Sequence, residues 1–153
     1  MSYWLSVEAW SLSHVQGILL HPFAHNGFGH FFCNASLFIP LSAILWICGV
    51  DLDTYLVVLG ISTVGSGLAS FFLNAPGKCA VGASGTINGL FGYRLVFGFV
   101  SWSPLALISS LVCGVLFAAG VLKGLVPRLF SGISWQAHVG GLIGGVLTGI
   151  YWA

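Results

Sequence analysis

Five long apolar blocks take up most of the chain and limit what it can fold into. Each is close to the roughly 20 residues that a helix needs to cross about 30 Å of hydrocarbon. Of the whole chain, 58% is hydrophobic and only 5% is charged. We therefore expect an all-α polytopic membrane protein with about five transmembrane helices. The blocks comprise residues 29–49, 54–74, 84–101, 104–122 and 135–152.

The charge content excludes two classes of protein. The chain has 4 basic and 3 acidic residues and a net charge of +1, whereas about a quarter of the residues in a soluble domain are charged. Nucleic-acid binding needs a clustered basic face, which so few charges cannot supply. The lipid bilayer is therefore the expected partner, and no nucleic acid is expected.

Helix start signals support these block boundaries. Asp51 and Asp53 precede the second block, the pair Ser103-Pro104 opens the fourth, and Ser134 precedes the fifth. These residue types favour helix N-termini. Turn-type runs at 74–78 and 123–128 separate the blocks and hold three of the four basic residues.

Residues 1–28 do not match a membrane span, because polar residues interrupt the apolar ones. Aromatic side chains such as Trp4, Trp10 and Phe23 alternate there with Glu8 and His14, a mixture typical of the membrane interface. We expect an interfacial loop with short helices over 1–28 and a transmembrane core over 29–153. The segment also lacks the charge and cleavage pattern of a signal peptide.

The four cysteines show no metal-binding or redox spacing. Cys33, Cys48 and Cys113 lie inside apolar blocks, where a small buried hydrophobic residue is the expected role, and Cys79 lies in a loop. No disulfide or cofactor is expected.

Glycines recur every four residues inside two of the blocks. Gly140 and Gly144, and Gly141, Gly145 and Gly149, form overlapping stripes on one face of the last block. Gly85 and Gly89 repeat the spacing in the third block. Such stripes let two helices approach closely. They are also consistent with simple bundle packing.

Ser84 and His138 are polar residues that begin the two glycine-bearing blocks. A serine in a membrane helix often bonds its own backbone, and a lone histidine is often structural. An ionisable group at membrane depth, however, usually lines a cavity or has a partner. Gly141 and Gly145 lie on the face of His138 and would bring it towards the helix of Ser84. Together the two side chains fit a nucleophile and its base.

His30 and Asn34 are four residues apart, so they share one helix face. Their side chains can form hydrogen bonds between helices. Alternatively, they can form an oxyanion hole, whose donors stabilise the negative charge that develops on a carbonyl oxygen. His21 and His25 precede them with the same spacing. A metal site is disfavoured, because few acidic or thiolate ligands lie near and asparagine is a poor transition-metal ligand.

Three ordered motifs make the chain resemble the rhomboid intramembrane serine proteases. The first motif is His25-Asn-Gly-Phe-Gly-His-Phe-Phe-Cys-Asn34, the second is Gly82-Ala-Ser-Gly85, and the third is Ala137-His138 followed by Gly141 and Gly145. Their order and spacing resemble the family across roughly residues 14–152, nearly the whole chain.

This resemblance implies a role for each motif residue. Ser84 is the nucleophile and His138 its general base, without a carboxylate. His30, Asn34 and the backbone N–H of Ser84 stabilise the oxyanion. His25 is structural, and no cofactor or metal is involved.

The implied activity is cleavage of transmembrane helices of membrane-protein substrates, by a multi-pass protein of the cell (inner) membrane. The alternative is a catalytically weak or inactive rhomboid-like protein that binds transmembrane helices. A histidine-lined channel is a third class, for which the sequence offers no inverted repeat.

The chain departs from the family in two features. Family members carry a further helix before the His25 region, and we expect no counterpart within 1–28. Many also carry an aromatic residue four positions after the serine, stacked beneath the histidine, where this chain has Asn88. Asn88 lies on the face of Ser84. We expect it to hydrogen-bond His138, the alternative being weak activity.

The charges oppose the orientation that the resemblance implies. With the start of the Ser84 helix outside, most basic residues are outside, contrary to the positive-inside rule. We keep the family's orientation. Arg94, about 15 Å deeper than Ser84, is expected to snorkel to the far headgroups. The other charges concerned are Lys78, Lys123 and Arg128 outside, and Asp51 and Asp53 inside.

Overall fold

A computed structural model describes residues 3–126 and 134–152. Arg128 and the end of the predicted turn at 123–128 lie outside this part of the chain. The described part is a helical bundle with one very short antiparallel strand pair. The elements are β1 (Val7–Glu8), α1 (Gly17–Leu20), α2 (Phe28–Ile47), α3 (Leu52–Leu73), β2 (Cys79–Ala80), α4 (Ser84–Val100), α5 (Pro104–Leu125) and α6 (Trp135–Tyr151).

Helices α2 to α6 confirm the five predicted blocks, with ends that agree to within a few residues. The largest difference is at α5, which ends at Leu125 rather than at 122. Lys123 and Gly124 therefore lie in the last turn of a helix, not in the predicted turn. The apolar pattern ends at 122, but backbone hydrogen bonding continues past a lysine and a glycine.

The predicted helix start signals are confirmed as N-caps. The Asp51 carboxylate accepts a hydrogen bond from the Thr54 backbone N–H at 2.9 Å. Ser103 caps α5 and Ser134 caps α6 through the N–H groups of Ala106 and Ala137. Each cap satisfies a donor that the first helical turn leaves free.

Three helices of the described residues, α2, α3 and α5, are long and apolar enough to cross a membrane by length and composition. Helices α4 and α6 have 17 residues each, the lower end of the spanning range. Helix α4 is at the centre of the bundle, in contact with α2, α3, α5 and α6. The residues from Gly85 to Arg94 are all buried. The chain is therefore an all-α membrane protein.

The glycine stripes of α6 contact two different helices. Gly141 and Gly145 contact the backbone of Gly85 and Gly89 in α4, which confirms the predicted approach of α6 to the Ser84 helix. The stripe of Gly140 and Gly144 instead packs on α3. The two stripes lie side by side on α6, which lets it pack closely on both neighbours at once.

The described residues before α2 form short 3₁₀ turns, α1 and β1. The sequence did not predict β1. Val7 of β1 pairs with Ala80 of β2. A two-residue strand carries no alternating pattern that sequence reading can detect. The pairing fixes the N-terminal segment to the loop just before Ser84. The interfacial location of this segment stays a prediction.

Arg94 contradicts the expectation that it snorkels to the headgroups. Its side chain is completely buried between α4 and α5. The guanidinium donates to the carbonyl oxygen of Ala106 at 3.2 Å and to Oγ of Ser109. The start of α5 packs on α4 at this level, so α5 supplies nearer acceptors than the headgroups do.

The expectation that the cysteines in the apolar blocks are buried holds for one of the three. Cys113 is buried, whereas Cys48 is half-buried and Cys33 is exposed. The buried residues of α2 are Asn34, Leu41 and Leu45, and the exposed Cys33 side chain lines the cavity described below.

Candidate active site

Ser84 and His138 meet at one end of the bundle. Ser84 is the first residue of α4 and His138 lies in the first turn of α6. The Nε2 atom of His138 is 2.7 Å from Oγ of Ser84. His138 is buried and Ser84 is half-buried. The serine hydroxyl therefore has an imidazole acceptor in hydrogen-bond range and remains open on one side.

The start of α6 is held by polar contacts with the end of α3. The Asn74 amide donates to Oγ of Ser134, the α6 cap, at 3.1 Å. The Gln136 amide donates to the carbonyl oxygen of Leu73 at 3.2 Å. These bonds fix the first turn of α6, and thereby the position of His138 along the bundle axis relative to Ser84.

The other edge of the His138 ring faces α5. A methyl group at Gly124 would lie 2.6 Å from Cε1 of His138 and would also contact Nδ1. Only a glycine fits there, because any larger side chain would displace the ring. Nδ1 is buried and has no hydrogen-bond partner within the described residues. The dyad therefore has no carboxylate in this part of the chain.

Asn88 does not make the hydrogen bond to His138 that we expected. Its Nδ2 is buried and lacks a partner in the described structure. The physical reason is the direction of the ring: His138 uses Nε2 at the level of Ser84, and its Nδ1 edge points towards Gly124 of α5. Asn88, one turn deeper in α4, is left facing the packed interior.

His30 and Asn34 lie next to the loop that leads to Ser84. A methyl group at Gly82 would lie 2.7 Å from Nε2 of His30 and 3.2 Å from Nδ2 of Asn34. Gly82 also has a φ of 106°, which side chains other than glycine rarely adopt. Both the close approach and the backbone conformation require glycine. The structure thus brings both polar side chains of α2 to the start of α4.

His25 contacts both of those side chains. The Asn34 amide and Nε2 of His25 are 2.9 Å apart, and the rings of His25 and His30 pack edge to face at 5.2 Å. An amide has two N–H donors, so Asn34 keeps one for another acceptor. No group of three or more metal-ligating side chains occurs among the described residues.

His21 supports the same loop from the other side. It is buried, with Nδ1 3.0 Å from the carbonyl oxygen of Gly17 and Nε2 3.1 Å from Oγ of Ser66. Its own carbonyl oxygen accepts from the backbone N–H of Gly82 at 2.9 Å. Burial lowers the pKa of His21 to about 4. The ring is therefore neutral at physiological pH.

A cavity of about 450 Å³ joins these side chains. Ser84, His138, His30 and Asn34 line it, and so does Lys123. The N–H groups in the first turn of α4 have no acceptor within their own helix, and the helix dipole favours negative charge at this end. The cavity therefore joins a serine hydroxyl, an imidazole acceptor and free backbone N–H donors, and these donors can hold an anion.

Sequence reasoning missed three residues of this site. The spacing of His21, four residues before His25, did not indicate that His21 supports the loop before Ser84. Gly124 and Lys123 were assigned to a turn. For Gly124 the sequence carried no signal, because its role depends on where His138 of another helix lies.

Comparisons with known proteins agree with this geometry. The family model described as the Rhomboid domain matches residues 11–153. Uncharacterized proteins of Mycobacterium tuberculosis and Mycobacterium bovis are each 30% identical over 140 residues, covering 86% of this chain and 57% of the relative. One of Mycobacterium leprae is 31% identical, covering 86% and 54%. The chain thus spans about half the length of these relatives. No solved structure matches it. Because the Rhomboid domain model matches nearly the whole chain, this protein belongs to the rhomboid family.

Proposed function

We propose that this protein is an intramembrane serine endopeptidase that cleaves transmembrane helices of membrane-protein substrates through a Ser84–His138 dyad. One observation carries the proposal: His138 Nε2 lies 2.7 Å from Ser84 Oγ in a cavity that His30 and Asn34 also line. Family membership supports it, because rhomboids are usually hydrolases.

Acylation starts when Ser84 Oγ attacks the scissile carbonyl carbon and its proton moves to His138 Nε2. A C–O bond forms and the carbonyl oxygen becomes an oxyanion. The N–H donors at the start of α4, with His30 and Asn34, stabilise that charge in this proposal. The C–N bond then breaks, and His138 returns the proton to the leaving amine.

Deacylation repeats the same steps with water. A water molecule gives a proton to His138 as its oxygen attacks the acyl carbon, and the ester bond to Ser84 breaks with return of that proton to Oγ. The half-buried position of Ser84 at the end of a span leaves room for this water. Because the carbonyl groups of an intact helix are already hydrogen-bonded, the substrate has to unwind locally before attack.

The alternative is a catalytically weak or inactive rhomboid-like protein that binds transmembrane helices. The observation that favours it is the unpartnered Nδ1 of His138 in the described structure, since a base without an orienting partner loses efficiency. Asn88 does not supply the missing partner, because it makes no hydrogen bond to His138 in the described structure.

A serine-directed fluorophosphonate separates the two functions. We expect labelling of the native protein in detergent and none of Ser84→Ala. Ser36→Ala is the matched control, because Ser36 is exposed on α2 and its hydroxyl donates to the carbonyl oxygen of Cys33. Cleavage of a reporter transmembrane substrate in proteoliposomes should fall on the order of 10³-fold or more in His138→Ala. Equal labelling of native protein and Ser84→Ala would rule out the protease.

A further inference from the structure

Lys123 places a positive charge at the candidate active site. It is exposed in the last turn of α5 and lines the cavity that holds Ser84 and His138. Its neighbour Gly124 contacts the His138 ring. The rest of the described lining contains no arginine, aspartate or glutamate and no second lysine. The positive charge of Lys123 therefore attracts or repels charged side chains of a polypeptide that occupies the cavity.

The chain offers Lys123 no carboxylate. Its sequence has only three acidic side chains. Glu8 bonds His14 at 2.8 Å and the Tyr3 hydroxyl at 2.9 Å. The other two, Asp51 and Asp53, lie at the start of α3, whose far end leads to the loop before Ser84. Within the described residues no ion pair includes Lys123.

We propose that Lys123 is a specificity-determining residue that selects transmembrane substrates with an aspartate or glutamate close to the scissile bond. This inference rests on the proposed protease function. A cavity of about 450 Å³, taken as a sphere, is about 9.5 Å across and holds about three residues of extended chain at roughly 3.3 Å each. The acidic residue is therefore expected within three residues of the cut.

The expected preference is modest, because Lys123 is exposed. An ion pair at a solvent-accessible site is worth up to about 1 kcal/mol, which corresponds to about a five-fold difference in kcat/KM. The effect should depend on the charge of both partners. It should not appear as a uniform change in rate for all substrates.

The test uses one reporter transmembrane substrate with Asp, Asn or Lys placed in turn at each of the three positions on either side of the cut. The enzymes are the native protein, Lys123→Gln, Lys123→Glu and the control Lys78→Gln. Lys78 is exposed in the loop after α3 and does not line the cavity. Proteoliposomes of neutral phosphatidylcholine remove the attraction between surface lysines and anionic lipids.

At one or more positions we expect the native enzyme to cleave the Asp substrate about five-fold faster than the Asn substrate. The ratio should fall to about one in Lys123→Gln, invert in Lys123→Glu and stay native in Lys78→Gln. An unchanged ratio in Lys123→Gln overturns the proposal. So does an equal loss for all substrates, which indicates a role in catalysis or folding, and so does an effect shared by Lys78→Gln.

A binding measurement separates this proposal from the protease function. If no substrate is cleaved in a Ser84-dependent manner, the protease function fails. Fluorescence anisotropy with Ser84→Ala in micelles still compares binding of the Asp and Asn substrates. A preference for Asp that Lys123→Gln abolishes supports the charge selection, and equal binding overturns it.

Discussion

Substitution of Gly141 by alanine tests whether backbone contact between α4 and α6 sets the geometry of the dyad. The added methyl group would lie 2.5 Å from the carbonyl carbon of Gly85 and would contact its oxygen, whereas ordinary contact begins at 3.4 Å. The groups that it meets are backbone, so no side chain can rotate away. The two helices have to separate by about 1 Å at this level.

The separation acts directly on Ser84 and His138. Gly85 follows the serine, and Gly141 is one turn after the histidine. The distance from Oγ to Nε2 would increase from 2.7 Å to about 3.7 Å, beyond hydrogen-bond range. General-base catalysis contributes about 10²–10⁴-fold to rate, so we expect kcat to fall at least about 100-fold. Overpacking should lower the free energy of unfolding by about 1–3 kcal/mol.

The assay is the rate of fluorophosphonate labelling and of reporter cleavage in detergent, with circular dichroism to establish that the variant is folded. Gly114→Ala in α5 is the control, because its methyl group would lie 3.9 Å from Leu95 Cδ1, an ordinary contact distance. It should label as the native protein does, with stability raised by up to about 1 kcal/mol from helix propensity. A folded Gly141→Ala protein that labels within about three-fold of the native rate refutes the reasoning.

Three further predictions concern a buried histidine, a buried amide and the glycine that lies against His30. Burial lowers the pKa of His21 from 6.5 to about 4, so the unfolded chain binds the proton first as pH falls. The free energy of unfolding should therefore drop by about 3 kcal/mol between pH 6.5 and 4. Thermal unfolding in detergent measures this drop, and an equally steep drop in His21→Asn contradicts the prediction. Asn88→Leu removes a buried unpartnered donor and should keep or raise the melting temperature, whereas a loss of several degrees would show that Asn88 has a partner. Gly82→Ala should lower fluorophosphonate labelling at least about ten-fold, because its methyl group displaces the His30 ring; native labelling would show that the loop tolerates a side chain.

The sequence predicted the helices well because their signals are local. An apolar run and its cap, such as Asp51 before α3, depend on neighbouring residues only. The meeting of Ser84 and His138 followed from glycine spacing, since small residues indicate which helix faces approach. The packing of the second α6 stripe on α3 did not follow, because α3 lacks glycines at the matching four-residue spacing that pointed to α4 as a partner.

Interactions between distant segments account for the other differences. Arg94 was placed at the headgroups because the sequence does not show that α5 covers it. The direction of the His138 ring, which leaves Asn88 unpartnered, depends on Gly124 of a third helix. The strand pair of β1 and β2 joins segments about 70 residues apart and has no local pattern.

The backbone contact of α4 with α6 has a consequence for the response to the bilayer. Helices tilt when membrane thickness changes, and α4 and α6, whose backbones touch where Gly85 meets Gly141 and Gly89 meets Gly145, tilt as one body. We therefore expect the distance between Ser84 and His138 to be nearly independent of lipid chain length. Helix α2 has few buried residues and adjusts more freely. Membrane thickness should therefore tune catalysis through the placement of His30 and Asn34 rather than through the dyad.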